Sequence, residues 1–293
     1  MTDCLINEQT AWELVRLVPP GLAGQAHIRV HHHPRPDAWV QVDRAGAWTA
    51  SECTQAARDL FDLYFPLQVS PIFAIAQAGQ SIDGRIATES GHSHFVTGAA
   101  DILRLHRVRA LVDAVVVGAS TVAADNPHLT VRRVTGDNPV RVILDPRGRL
   151  ESTAHVFTDG QAKTLAMRRE TLSHVDDEPE PGLVHLPVDE TGAAFDPHTI
   201  LSALHERGLR RVLVEGGGRT VSRFLQTGAL DRLHVTVAPL LIGSGRPAFS
   251  LDPVASLHDA LRPPCRHFRL GDDILFDFDL SSEAREDHRA RKR

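Results

Sequence analysis

The sequence predicts an α/β protein with a mostly parallel central sheet, helices on both faces and an antiparallel edge. Three observations carry this expectation. Short uninterrupted apolar runs, Ala114–Gly118, residues 140–145 and Arg211–Glu215, read as strands buried on both faces, as in parallel sheets. Helix-like segments alternate with them, at 98–111 and 200–206. Near the C-terminus, residues 233–237 and Asp273–Asp279 follow one another with no helix between, which predicts the antiparallel edge.

Taken in order, residues 1–66 predict a small α+β extension. It has a helix-like stretch at 12–17, a Pro-Pro-Gly break, an alternating strand at 38–42 and a second helix at 49–64. Composition changes between Pro66 and Pro71, so a second domain is expected over 67–280. It opens on a short apolar strand at 72–76. Thr97 is the expected N-cap of the helix at 98–111, where Ile102, Leu105 and Val108 recur at helical spacing. Residues 176–182 read as loop, and a further helix follows Gly216-Gly217-Gly218 as far as Leu225. The charged stretch 281–293 is expected to be frayed.

The chain has 293 residues and a formal net charge of -5, which gives no overall attraction for nucleic acid. Anionic partners should therefore be met locally, by a few arginines. No apolar run approaches the length of a membrane-spanning helix. The first residues carry acids where a signal peptide needs a positive region. Cys4, Cys53 and Cys265 are isolated, which argues against a disulfide scaffold and a zinc site of the usual spacing. A cytoplasmic protein with no metal is expected.

The strongest local signal is Arg211 to Thr220, where a buried strand runs into three glycines and then a helix. Glycines let backbone approach a phosphate, which the helix N-terminus then binds; the other reading is a tight turn with no ligand. Glu215 ends that strand, where open α/β sheets bind ligands. It could pair with the N–H groups of a pyrimidine or serve as a salt-bridged structural acid. Asp83-Gly84 signals a turn, read on its own as a hairpin. Residues 118–132 offer hydroxyls, an acid and an arginine beside a strand end. His92 and His94 read as polar loop. His31-His32-His33 reads as solvated loop rather than metal site, because neighbours on a strand face opposite ways. There is no Gly-x-Ser-x-Gly elbow, Walker loop or zinc-deaminase signature. Phosphate cradles without a nucleophile fit hydride transfer, in which the cofactor makes the bond and the protein holds the reactants.

Read together, these stretches resemble the reductase domain of the bacterial riboflavin-biosynthesis deaminase-reductase, of dihydrofolate-reductase-like fold. The landmarks occur in family order from about Pro71 to Leu280. They are Ser81-Ile82-Asp83-Gly84-Arg85-Ile86-Ala87, Ser90 to Thr97, Leu105-His106-Arg107-Val108-Arg109-Ala110, Gly118 to Arg132, Val214-Glu215-Gly216-Gly217 and Ala238 to Gly243. The resemblance implies that Ser93, Phe95, Thr121 and Asp125 contact NADPH and that the loop Gly217, Gly218, Arg219, Thr220, Val221 and Ser222 holds its pyrophosphate. It implies substrate contacts at Arg109, Leu129, Arg132 and Glu215, and a homodimer. Arg147 or Arg149 is the candidate for the cofactor 2′-phosphate, with Arg219 next. The implied reaction turns the ribosylamino group of a pyrimidine 5′-phosphate into a ribityl group, with no side chain as catalyst. Arginine suits a sugar phosphate because its planar, permanently charged fork binds in a bidentate way. The sequence departs from the family at Phe95, usually Trp, at Gly218-Arg219, usually Pro-Thr, and at Pro146, usually a small hydroxyl residue. Residues 1–66 resemble no deaminase. These departures keep two alternatives in view: a reductase of this fold for another pterin or deazapurine-like substrate, and a non-enzymatic NADPH-binding module.

Overall fold

Asn7 sets the start of α1 (Glu8–Leu17), its Oδ1 accepting the Thr10 N–H at 2.9 Å. In the computed structural model, which describes residues 5–93, 96–170, 182–188 and 194–281, the chain divides into two units after Phe73. In the first, β1 (His27–His31), β2 (Trp39–Asp43) and β3 (Trp48–Ala50) form an antiparallel sheet in which Val40 and Val42 are buried. The helix expected from residue 49 begins later, as α2 (Gln55–Gln68), because Thr54 caps it and 48–50 pair with β2 instead. The helix also runs through Pro66. Trp12 meets Tyr64 edge-on, with ring centroids 5.6 Å apart, and packs α1 against α2. In the histidine triplet His31 is exposed and its ring meets the Pro36 carbonyl, whereas His32 is buried against Glu13.

In the second unit the chain order begins β4 (Phe73–Ser81), β5 (Arg85–Thr88), α3 (Ala99–Arg109), β6 (Ala114–Gly118), α4 (Ala119–Asp125) and β7 (Val140–Leu144). It continues with α5 (His155–Thr158), β8 (Thr164–Arg169), β9 (Leu183–Leu186), α6 (Pro197–His205), β10 (Arg211–Glu215) and α7 (Gly218–Gln226). It ends with β11 (Arg232–Ala238), β12 (Gly245–Pro247), β13 (Cys265–Leu270) and β14 (Asp273–Asp279). Among the described residues the large sheet has the order β13-β14-β11-β4-β10-β6-β7-β8-β9. The pairs β10–β6, β6–β7, β7–β8, β8–β9 and β11–β4 are parallel, while β14 pairs antiparallel with both β11 and β13. The expected α/β class and antiparallel edge are both present.

Alternation explains why these strands are apolar throughout. Val116, Val142 and Val214 join Leu204 of α6 and Phe224 of α7 in one core, and the intervening Val115, Val117 and Leu213 are buried on the other face. Each such side chain contributes about 1.5–3 kcal/mol on burial. α3 covers that other face at β4 and β11 through a buried polar network. Asp101 Oδ1 accepts from Arg104 Nε and from the Thr236 hydroxyl, each at 2.7 Å. Arg104 also donates to Gln77 and to His234 Nδ1.

Several local expectations are corrected. Gly98, not Thr97, is the N-cap of α3: the Thr97 side chain bonds Asp101, and Asp273 accepts the Gly98 N–H at 2.7 Å. The Asp83-Gly84 turn is present, but β5 pairs with β12 rather than folding back on β4. The Asp83 carboxylate accepts from the Ser81 hydroxyl and from the Gly243 and Ile242 N–H groups, at 2.5, 2.7 and 3.2 Å, which hold it at about pKa 2. Leu129, in the loop that follows α4, takes a positive φ of 55°. The segment expected at 281–293, beyond Ser281, and most of the 176–182 loop lie outside the described residues.

Candidate functional site

Parallel pairing of β6 with β10 sets the C-terminal ends of these strands side by side, with Val214 opposite Val116. The turn after β10 and the helix after β6 form the first half of the site. Gly216 and Gly217 both take φ of +74°, a region open to glycine, and α7 starts at the next residue. A Cβ added at Gly216 would stand 2.9 Å from Thr121 Cγ2, and one at Gly217 would stand 3.1 Å from Thr121 Oγ1. The glycines therefore let the backbone close on the Thr121 side chain of α4. Thr220 lies against the same strand end, its Oγ1 3.0 Å from where a Gly118 Cβ would be. Two hydroxyls and the first N–H groups of α7 thus surround one point, a cradle suited to phosphate oxygens.

The loop residues divide by direction. Arg219 is exposed on the first turn of α7, and Asp125 is exposed at the end of α4. Val221 and Ser222 point inward instead: Val221 joins the core, and the Ser222 hydroxyl donates to Gly218 O and accepts from the Ser250 N–H. Their side chains brace the loop, because helical spacing turns them away from the cradle. Gly218 is packed against the 247–248 backbone, where an added Cβ would lie 2.6 Å from Ala248 O.

The second half of the site is built on α3. Arg109, its last residue, is buried and forks onto Glu215, with Nε to Oε1 at 2.7 Å and Nη2 to Oε2 at 2.6 Å. Its Nη1 donates to Thr130 O at 3.1 Å. Burial opposes the Arg109 charge, but Glu215 outweighs it and holds the pKa above the usual arginine value. Of the two readings left open for Glu215, the salt bridge is present. One helical turn before Arg109, His106 is also buried. Its Nδ1 accepts the Arg132 N–H at 3.0 Å, and the ring also bonds the Thr130 backbone. Burial first, then the charges of Arg109, Arg132 and Arg133, lower its pKa to about 4. Arg132 and Arg133 are exposed and form no ion pair among the described residues. Leu129 is buried at the head of this segment.

Thr121 and the glycine loop, Arg109 and Glu215, and Arg109 with the 130–132 backbone are therefore neighbours. Ser93 is half-buried with no side-chain hydrogen bond among the described residues, and Arg147 and Arg149 are exposed beyond the end of β7. Phe95 and His94 lie outside the described residues. Sequence reasoning missed His106. The available signal was its place three residues before Arg109 on a helix.

The family model for the RibD C-terminal domain matches residues 73–275. The chain belongs to that family. It is thereby an oxidoreductase of riboflavin biosynthesis, and the match covers both halves of the site and the sheet up to the start of β14. The 2,5-diamino-6-ribosylamino-4(3H)-pyrimidinone 5′-phosphate reductase of Methanothermobacter thermautotrophicus is 33% identical over 218 residues, covering 70% of this chain and 97% of its own. The riboflavin biosynthesis protein RibD of Aquifex aeolicus is 33% identical over 246 residues, 83% of this chain and 66% of its own. A solved deaminase/reductase from Thermotoga maritima superposes with a TM-score of 0.60 at 26% identity, over 78% of this chain and 64% of that one. The chain thus spans nearly all of the Methanothermobacter reductase and about two thirds of the Aquifex and Thermotoga relatives. Among the described residues no helix is long and apolar enough to cross a membrane.

His106 makes stability depend on pH in a defined direction. Between about pH 6.5 and 4 the unfolded chain takes up a proton that folded His106 refuses. Its contribution is therefore complete above that window and is lost as pH falls through it, by up to about 1.4 kcal/mol per pH unit. Urea melts of wild type and His106→Asn at pH 7 and pH 5 should show the larger acid loss in wild type; equal losses would refute this.

Proposed function

We propose that the chain is an NADPH-dependent reductase that converts the ribosylamino group of a pyrimidine 5′-phosphate to a ribityl group. The observation that carries this is the buried Arg109–Glu215 pair, which fixes a carboxylate at the strand end directly before the glycine cradle. Held in one orientation by Arg109, Glu215 receives the N–H groups of the pyrimidine. Arg109 itself is spent on Glu215 and Thr130, so the 5′-phosphate falls to Arg132 and Arg133. Thr121, Thr220 and the first turn of α7 hold the cofactor pyrophosphate. When bound, NADPH supplies the hydride that reduces C1′ of the opened ribosylamine. No side chain serves as nucleophile, and the protein's part is to align two anionic reactants and keep water from between them.

Steady-state kinetics with the phosphorylated pyrimidine and its dephosphorylated analogue tests the substrate. Wild type should prefer the phosphorylated form, and Arg132→Ala should erase most of that preference, at about 2–5 kcal/mol. Glu215→Gln should weaken both substrates while NADPH affinity stays unchanged. Equal use of both by wild type would remove the phosphate site and favour a neutral pterin substrate instead.

Isothermal titration tests the cofactor. Gly217→Val should abolish NADPH binding, since a side chain there meets Thr121 and strains a positive φ. Alanine at Arg147, Arg149 and Arg219 together should narrow the preference for NADPH over NADH by roughly 10- to 150-fold. A preference left intact would show that none of the three reads the 2′-phosphate.

The reading extends to a cytoplasmic homodimer. Leu251, Val254, Leu257 and Leu261 are all about half exposed or more along one segment, and burying such side chains suits a second copy. Sedimentation equilibrium should give twice the chain mass; a monomer at micromolar concentration would end this proposal.

A further inference from the structure

His106 is tied to one short stretch of backbone. Its Nδ1 accepts the Arg132 N–H at 3.0 Å, so the neutral ring carries its proton on Nε2. The Thr130 carbonyl in the same stretch receives Arg109 Nη1. The segment needs this hold. Leu129 at its head is a non-glycine residue at φ 55°, a conformation that persists only when its surroundings enforce it. Asn138 fixes the next amide but one, its Oδ1 accepting the Val131 N–H at 2.7 Å. Arg132 and Arg133 follow at once, with side chains exposed and unpaired among the described residues.

We propose that His106 is a positioning residue that fixes the 130–132 backbone so that Arg132 and Arg133 present their guanidinium groups to the substrate's phosphate. This rests on the substrate reading above and adds a specificity-determining residue that touches no substrate atom. Its chemistry follows from three features. The imidazole is short and stiff, so it holds the Arg132 amide at one place. It accepts at Nδ1 only while unprotonated, and burial, followed by the surrounding Arg109, Arg132 and Arg133 charges, keeps it so. It sits on the same helix face as Arg109, so α3 orients the pyrimidine's carboxylate partner and the phosphate's cations together.

The test compares His106→Leu, His106→Gln and His106→Asn. Asparagine places an acceptor near the position of Nδ1, whereas glutamine carries its acceptor one bond further out and keeps the site polar should leucine fail to fold. His106→Leu and His106→Gln should raise KM for the phosphorylated substrate by roughly 5- to 15-fold, the worth of one lost hydrogen bond. Their kcat, NADPH dissociation constant and KM for the dephosphorylated analogue should stay within twofold of wild type. His106→Asn should restore most of the phosphate-dependent KM. A purely structural histidine would instead shift both substrates alike, and that result, or an unchanged KM in both His106→Leu and His106→Gln, overturns the proposal. Ribose 5-phosphate, titrated calorimetrically, keeps this separate from the reading of the reaction. If wild type reduces no pyrimidine yet binds ribose 5-phosphate, and His106→Gln binds it several-fold more weakly, the inference stands while the reaction reading falls. No binding by wild type overturns the inference.

Discussion

The buried ion pair of Arg109 with Glu215 is the constraint on which the site depends. Two charges taken from water need each other's geometry, and the two parallel bonds at 2.6 and 2.7 Å supply it. Removing one partner of such a pair costs about 3–5 kcal/mol, because the other charge stays buried alone. The pair also joins the end of α3 to the end of β10, elements 106 residues apart in sequence. The neighbouring segment is placed relative to that joint, since Thr130 is drawn in by the remaining guanidinium nitrogen.

α3 does two jobs from two faces. Asp101 and Arg104 face the sheet, where Gln77, Thr236 and His234 complete their hydrogen bonds. His106 and Arg109 lie two and five residues past Arg104, so they face another way and reach the 130–132 segment and Glu215. The buried network therefore fixes the roll of the helix about its own axis. A helix held only by apolar contacts could rotate slightly at small cost; one held by directional bonds on one face cannot, and the groups on its other face inherit that precision.

The glycine-rich half of the site is arranged by backbone rather than by charge. Positive φ at Gly216 and Gly217 turns the chain sharply at the end of β10 and clears room for Thr121 from the neighbouring strand's helix. Arg219 on the first turn of α7 and Arg147 and Arg149 beyond β7 are exposed. The site thus combines a rigid neutral cradle with a pre-oriented carboxylate and two unpaired arginines, which suits two anionic reactants held in contact.

The sequence by itself determined the sheet and the loops that carry the site. Apolar runs such as Ala114–Gly118 are fixed by local composition, and three glycines after a buried strand mark a sharp strand-to-helix turn. It left β8, β9 and β13 unread; Cys265–Leu270, for one, is a largely exposed edge strand with no apolar run to announce it. It placed a helix N-cap at Thr97 because a side-chain cap is a local signal, whereas the Asp273 carboxylate that holds Gly98 comes from 175 residues away. It could name Arg109, Arg132 and Glu215 but not say which of them face each other. Only the tertiary structure decided that Arg109 is spent on Glu215, that Val221 and Ser222 turn inward, and that His106 holds the Arg132 backbone. Pairing of charges and acceptors is set by distances between elements remote in sequence, and a linear pattern carries no record of them.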